Sequence, residues 1–569
     1  MTDTYNTVHY IISMLKAYGI KNIVASPGTQ NAYFNSIVQE DSFFKCFSVV
    51  DERSAAYVAT GIAYETQEPV VITCTGATAS RNYMSALTEA YYKNLPVIAL
   101  TFFDEGTNKF ALSPQFVDRS VSQNDIKTVD VELPYVDGGL KLKSKCLTYL
   151  NSALFTAKYK KEPVHINCAA NMDFKNTVSG LPEDIWSSTG LSLDFGDKAT
   201  LLKGKNVAIF IGSHNKFTED EKCAISEFAK SWDIPVLCDH TSNYHGANKI
   251  LISQIAYKTK DITTPDLIID MGGVTGEYSC SLVFSKVKKV WRLAENGKFA
   301  CRSNIPVEYV FLCKEQYFFE LMKNPSSENS GYYTYLKSVC NSNIETDLPL
   351  SNGLICQKLA KYIPQNSSLH VAILNSLRNM NFFDLDESIN VTCNVGGFGI
   401  DGAVSTLLGQ SLVDSERLCF GVVGDLAFLY DMNAIGNRHV SNNLRIILVN
   451  NSRGEEFRLN PALEKPLGEK NDVLIAAAGH FKNGVKGWAQ SCDFKYMKAN
   501  SKRSFEKRIK DFCITKSNKP IILEVYTSDL NEKMALSALK AGKLVLPAKK
   551  QKVKLISKLG KLVCGKIKK

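Results

Sequence analysis

Short apolar, β-rich runs alternate with stretches of helical periodicity along the whole chain. The runs Ile20-Lys21-Asn22-Ile23-Val24-Ala25, Phe47 to Val50, Pro69 to Thr73 and Pro96 to Thr101 open the pattern. Such alternation predicts parallel sheets covered by helices, the α/β class. A polar stretch over 179–197, with Gly180, Pro182 and Gly190, reads as a linker, and Lys205-Asn206-Val207-Ala208-Ile209-Phe210-Ile211-Gly212 opens a second unit. The segment Asn324-Pro325-Ser326-Ser327-Glu328-Asn329-Ser330-Gly331 closes that unit. The expected organisation is therefore three doubly wound parallel-sheet domains over 1–180, 195–325 and 345–540. The first and third are candidates for variants of one architecture.

The length of 569 residues excludes a single small binding module, and 45% hydrophobic with 22% charged residues excludes a disordered or fibrous chain. Sixteen cysteines occur without a C-x-x-C, so they predict reduced, mostly buried thiols rather than a metal or disulfide framework. Met1 to Asn6 lacks a basic start followed by an apolar core, and no later window approaches 18 uninterrupted apolar residues. A cytoplasmic protein is expected.

The net charge of +10 changes that picture only at one end, because ten lysines and no acid lie between Ala541 and Lys569. From Lys552 to Lys569, Leu555, Ile556, Leu559, Leu562, Val563 and Ile567 share one side of a 3.6-residue helix, with lysines opposite. Residues 548–569 are thus expected to form a basic amphipathic helix that docks peripherally on an anionic membrane surface. Such docking would suit an enzyme that supplies membrane-assembled surface polysaccharide. Packing on the protein's own body and a partner groove are the rival readings. Nucleic acid is not expected, since no aromatic residue interleaves with the lysines.

The most informative chemistry begins at Gly424-Asp425-Leu426 and resumes, 26 residues after the aspartate, at Asn450-Asn451. Both follow β-rich runs, and doubly wound sheets bind ligands beyond the carboxyl ends of their strands. A carboxylate, an amide oxygen and a loop carbonyl are hard donors suited to Mg²⁺ with phosphate oxygens. The pattern resembles the thiamine-diphosphate-dependent enzymes, whose signature joins G-D-x to N-N at this spacing. The resemblance implies Mg²⁺ ligation by Asp425, Asn451 and the main-chain oxygen of Arg453, with Gly424 and Leu426 beside the cofactor. It also implies a glutamate just after a strand of the N-terminal unit, where its carboxyl meets the cofactor's pyrimidine ring; Glu52, in Val50-Asp51-Glu52-Arg53-Ser54, matches that position.

The resemblance extends to a branch that includes the carboxylate-joining synthase of menaquinone biosynthesis. Ser26-Pro27-Gly28-Thr29-Gln30-Asn31-Ala32, Cys74-Thr75-Gly76-Ala77-Thr78-Ala79, His165-Ile166-Asn167-Cys168 and Gly396 to Gly402 carry it. It implies that Pro27, Thr75 and Gly76 wall the pyrimidine ring, that Ile400 props the cofactor into a bent shape and that the Phe398 carbonyl receives its amino hydrogen. It further implies a dimer or tetramer, with Glu52 and Asp425 of different subunits around each cofactor.

Four arginines that would grip carboxylates in that branch are replaced here. Gln30 stands in S-R-N, Asp104 in T-A-D-R-P, Val395 in N-R-G, and Met380 after the N-S-L turn. The expected reaction is therefore decarboxylation of a 2-oxoacid and transfer of the resulting acyl-anion equivalent to an acceptor other than isochorismate. A non-ligating decarboxylase and a cofactor-binding, membrane-associated scaffold are the alternatives. Candidate substrate residues are Gln30, Asn31, Gln115, Arg378, Val395 and Phe457, and Glu455 and Glu456 alter the mouth of the site. The second unit lacks G-x-G-x-x-G, so neither a nucleotide nor a flavin is expected there.

Overall fold

The computed structural model describes residues 5–103, 123–136, 139–169, 180–185, 198–295, 307–311, 313–323, 330–340, 346–460, 464, 472–479, 484–514 and 516–541. The expected helix over 548–569 and Gln115 lie outside the described residues. Eighteen described strands form three sheets of six, every pairing parallel.

The first sheet holds β1 Asn22–Ala25, β2 Lys45–Ser48, β3 Val70–Thr75, β4 Val97–Phe103, β5 Val129–Leu133 and β6 Val164–Ala169. The second holds β7 Val207–Ile211, β8 Val236–Cys238, β9 Lys249–Leu251, β10 Leu267–Met271, β11 Lys289–Leu293 and β12 Val307–Phe311. The third holds β13 Ser368–Val371, β14 Asn390–Thr392, β15 Cys419–Gly424, β16 Leu444–Asn450, β17 Lys495–Ala499 and β18 Ile521–Tyr526. Central strands such as β3, β7 and β16 are buried almost end to end, as expected for parallel sheets covered on both faces.

The first and third sheets share one topology. Their orders are β2-β1-β3-β4-β6-β5 and β14-β13-β15-β16-β18-β17, which coincide when each set is counted from its first strand. Connections diverge between β1 and β3 and between β13 and β15, leaving a crevice at the carboxyl ends of those strands. The second sheet runs β12-β11-β10-β7-β8-β9, the order of dinucleotide-binding folds. The turn after β7, however, reads Gly212-Ser213-His214-Asn215-Lys216, without the glycine fingerprint.

The three units are bound to one another by polar contacts as well as by apolar packing. Glu65, whose side chain is wholly buried, accepts from Lys216 of the second unit at 2.8 Å and pairs with Arg417 of the third at 3.0 Å. Gln410 Nε2 and Ser368 Oγ donate to its other oxygen at 3.1 and 3.3 Å. Nearby, the helices Glu52–Thr66 and Ala403–Ser411 cross so closely that a Cβ at Gly61 would lie 2.3 Å from the Thr406 carbonyl oxygen. One at Gly409 would lie 2.2 Å from that of Val58, so this crossing requires glycine on both helices.

Candidate functional site

At the carboxyl edge of the third sheet, four consecutive turns converge. Asp425 starts the helix Asp425–Tyr430 directly after β15 and is 2% exposed. Its Oδ1 accepts the Leu426 N–H at 2.8 Å, and its Oδ2 accepts the Ser452 N–H at 2.5 Å. The Asn450–Asn451 turn after β16 is thereby held against the end of β15. Asn451 Oδ1 accepts the Arg453 N–H at 3.2 Å, while Asn450 Oδ1 shares the Ser452 N–H at 3.1 Å and its Nδ2 donates to Glu524 at 2.7 Å. Ser452 adopts φ +61°, the tight reversal that turns these N–H groups back toward Asp425.

Burial pushes the Asp425 carboxyl up to about 6, against the pull of the surrounding N–H groups. No cationic side chain among the described residues forms a salt bridge with it. A Cβ at Gly424 would meet nothing within 4 Å, so open space adjoins the carboxylate. Asp425, the Asn451 amide and the Arg453 backbone supply only hard oxygens, and that donor set fits a Mg²⁺–diphosphate group.

The loop after β14 supplies Phe398 and Ile400. Phe398 holds φ +55°, unusual for an aromatic residue, and the Gly397 N–H donates to Glu89 Oε2 at 2.5 Å. Tyr57 donates to Asp401 at 2.9 Å, and a Cβ at Gly402, where φ is +76°, would lie 2.2 Å from the Tyr57 ring. The loop is thus clamped onto the first unit. Ile400 is half-buried between the third unit's two apolar cores.

The matching edge of the first sheet carries the other group. Strand β2 ends at Ser48, two residues before the expected end; the Val49 N–H still bonds Ala25, but Val50 is 72% exposed. Asp51 then caps the helix Glu52–Thr66 by accepting the Ser54 N–H at 2.8 Å, which leaves Glu52 half-buried at its first residue. On the neighbouring strands Gly28 comes so close to Thr75 that a Cβ there would lie 2.2 Å from its methyl group. Gly76 donates its N–H to Gln30 Oε1 at 3.1 Å. Asn31 turns inward, donating to the Ser26 carbonyl at 3.0 Å, and Pro27 remains exposed. Burial, with Cys74 and Glu52 nearby, pushes the Tyr83 hydroxyl well up.

The candidate substrate residues separate. Arg378 is 7% exposed and its Nη2 pairs with Glu456 at 2.9 Å, so it is not a solvent-facing charge. Arg453 pairs with Asp472 at 2.7 Å, a carboxylate that Arg458 shares at 2.8 Å. Phe457 is half-buried beside Gly454. Val395 is wholly buried among third-unit core residues. Sequence reasoning missed Tyr278, Glu89 and Asp472, which reach the site from other elements and carry no local motif.

Residues 5–109 match the family model described as the thiamine pyrophosphate enzyme N-terminal binding domain. The chain is 28% identical over 547 residues to 2-succinyl-5-enolpyruvyl-6-hydroxy-3-cyclohexene-1-carboxylate synthase of Flavobacterium johnsoniae, covering 91% of this chain and 95% of that protein. The same synthase of Phocaeicola vulgatus is 28% identical over 541 residues, covering 91% and 94%. The fold is also that of the thiamine diphosphate-dependent 4-hydroxybenzoylformate decarboxylase of Rhodococcus jostii, with a TM-score of 0.67 at 16% identity over 92% of this chain and 99% of that one. A matched N-terminal binding domain, relatives along nine-tenths of the chain and three parallel six-stranded sheets support a thiamine-diphosphate-dependent enzyme similar to the menaquinone-pathway synthase branch.

Proposed function

We propose that the protein is a thiamine-diphosphate- and Mg²⁺-dependent carboligase that decarboxylates a 2-oxoacid and passes the acyl-anion equivalent to an acceptor. The observation that carries this reading is the buried Asp425 carboxylate, bound by the N–H groups of the Asn451 turn and open on its Gly424 side. Asp425, Asn451 and the Arg453 carbonyl would hold Mg²⁺ and the diphosphate, with Gly424 and Leu426 alongside. Phe398 and Ile400 would support the middle of the cofactor, and Pro27, Thr75 and Gly76 would flank its ring. The bound cofactor supplies the electron sink that makes loss of CO₂ feasible. Glu52 would hold a proton against the ring nitrogen, a task suited to a partly desolvated carboxyl.

The reading takes the first sheet as the pyrimidine-binding unit, the second as a central unit and the third as the diphosphate-binding unit. Two subunits would complete each site, so a dimer is the smallest active form. Isochorismate is disfavoured as acceptor, because Gln30, Val395 and Met380 stand where arginines would be needed and Met380 and Val395 are wholly buried. The same loss supports a second reading, a decarboxylase that protonates its intermediate and releases an aldehyde. Residues 548–569 would bring the enzyme to an anionic membrane surface, and equal liposome sedimentation with and without them would remove that part.

Proton NMR tests the main reading. The protein with thiamine diphosphate and Mg²⁺ is offered pyruvate, 2-oxoglutarate and other oxoacids, with and without isochorismate, beside Glu52→Gln. Consumption that vanishes in the variant supports the cofactor chemistry, and aldehyde without a joined product selects the decarboxylase. No consumption of any donor by the wild type counts against both.

A further inference from the structure

Three helices, Asn352–Tyr362, Lys502–Ile514 and Asp529–Ala541, lie side by side on one face of the third sheet. They fill one core, with Leu354 and Leu359 from the first, Phe505 and Phe512 from the second and Leu536 and Leu539 from the third. Their starts lie together, since Glu532 accepts the Asn352 N–H at 2.9 Å and Lys502 donates to the Leu348 carbonyl at 2.8 Å. Their far ends share the amino edge of the sheet, because Tyr362 precedes the start of β13 and Ile514 that of β18. The chain leaves Ala541 at this same end of the layer, and ten lysines and no acid lie between Ala541 and Lys569.

Charge is concentrated on the outermost of these helices. Residues 486–519 hold ten lysines and arginines against three acids, Asp493, Glu506 and Asp511, whereas acids outnumber bases over the rest of the chain before residue 541. On the helix Lys502–Ile514, the exposed residues Arg503, Lys507, Lys510 and Ile514 share one stripe, opposite the buried Phe505, Ile509 and Phe512. Of the acids, Glu506 is engaged by Lys358 at 3.4 Å and Asp493 by Lys519, while Asp511 flanks the stripe. Arg503, Lys507 and Lys510 form no salt bridge among the described residues. Lysines also complement the dipole at a helix carboxyl end, but that effect is confined to the last turn, and Arg503 and Lys507 lie before it.

We propose that this stripe is a docking face for an anionic lipid bilayer, with the helix Lys502–Ile514 lying along the surface and Ile514 meeting the acyl boundary. Basic residues on one side of a helix beside an exposed isoleucine suit interfacial binding, and each basic group near such a surface raises affinity roughly fivefold. No aromatic side chain stands in the stripe, so it lacks the stacking platform that single-stranded nucleic acid uses. The proposal extends the membrane reading of residues 548–569 to the folded body, on a surface separate from that segment.

Cosedimentation of the full chain with vesicles of phosphatidylcholine, pure or containing one-third phosphatidylglycerol, tests this. The wild type is expected to bind only the anionic vesicles, and Lys507→Glu with Lys510→Glu to weaken that binding by at least about tenfold. Lys507→Gln with Lys510→Gln falls between them and guards against misfolding of the reversed pair. Lys260→Glu with Lys288→Glu, an equal reversal at exposed positions of the second unit, moves binding by less than about twofold. Thiamine diphosphate affinity stays unchanged in every variant. Equal weakening by both reversals assigns the effect to net charge and overturns the proposal. Unchanged binding in the Lys507 and Lys510 variants overturns it too, as does absent binding by the wild type or tighter binding of a DNA oligonucleotide than of anionic vesicles. Binding that survives removal of 548–569 but is lost in the reversed pair removes the earlier reading of that segment alone. Binding lost on that removal and untouched by the reversed pair removes this proposal alone.

Discussion

Glu65 offers the sharpest test of how the three units are joined. Glu65→Ala removes a wholly buried carboxylate that faces Lys216 at 2.8 Å and Arg417 at 3.0 Å and accepts from Gln410 and Ser368. Coulomb attraction alone would be about 6 kcal/mol for each pair at an effective dielectric of ~20, but desolvation offsets much of it. Removing one partner of a buried pair typically costs about 3–5 kcal/mol. Lys216 and Arg417 are 25% and 17% exposed and can turn partly toward water, which favours the lower end, about 3 kcal/mol. Glu65→Gln keeps the neutral hydrogen bonds and should cost less, about 2 kcal/mol.

Urea unfolding followed by tryptophan fluorescence reads this directly. Trp232 and Trp291 pack within the second unit, and Trp488 lies in the third. In Glu65→Ala the second unit is expected to unfold at lower urea than the third, because the carboxylate that ties them is gone. A loss under 1 kcal/mol with a single coincident transition would refute the reasoning and assign the coupling to apolar packing.

Asp425→Asn should abolish Mg²⁺-dependent thiamine diphosphate binding, and wild-type binding should strengthen as pH rises through about 6, where the carboxylate ionises; calorimetry across pH 5–8 checks both. Gly61→Ala forces a methyl group into a backbone oxygen and should cost about 1–3 kcal/mol in thermal unfolding. Burial raises Glu532 to about 7 from 4.5, so its contribution to stability is fully present below pH 4.5 and fades as pH rises through about 7. Glu532→Gln should therefore gain on the wild type over that interval by on the order of 3 kcal/mol, as read from denaturant midpoints; an unchanging difference would contradict the burial argument.

The layered fold and much of the candidate site were legible in the sequence because their signals are local. Apolar runs marked β1, β3, β4 and β7 to within about two residues, since a strand buried on both faces must be apolar throughout. Gly424-Asp425 and Asn450-Asn451 were visible because the turn after each strand carries its own residue types. Strand β2 was displaced because Phe47 to Val50 is apolar, while its last residue is turned outward at 72% exposure.

Tertiary structure alone decided which side chains meet across long separations. Arg378 was a candidate substrate residue in the sequence; packing of the turns beyond β13 and β16 gave it Glu456, and the second unit gave it Tyr278. Glu65 carries no motif in the sequence, yet it gathers partners from both other units. The glycines at 61 and 409 carried no motif and acquire meaning only where two helix backbones touch. Periodicity and turn chemistry act over a few residues and can be read from the chain, whereas a buried charge takes its partner from whichever distant element the packed fold sets beside it.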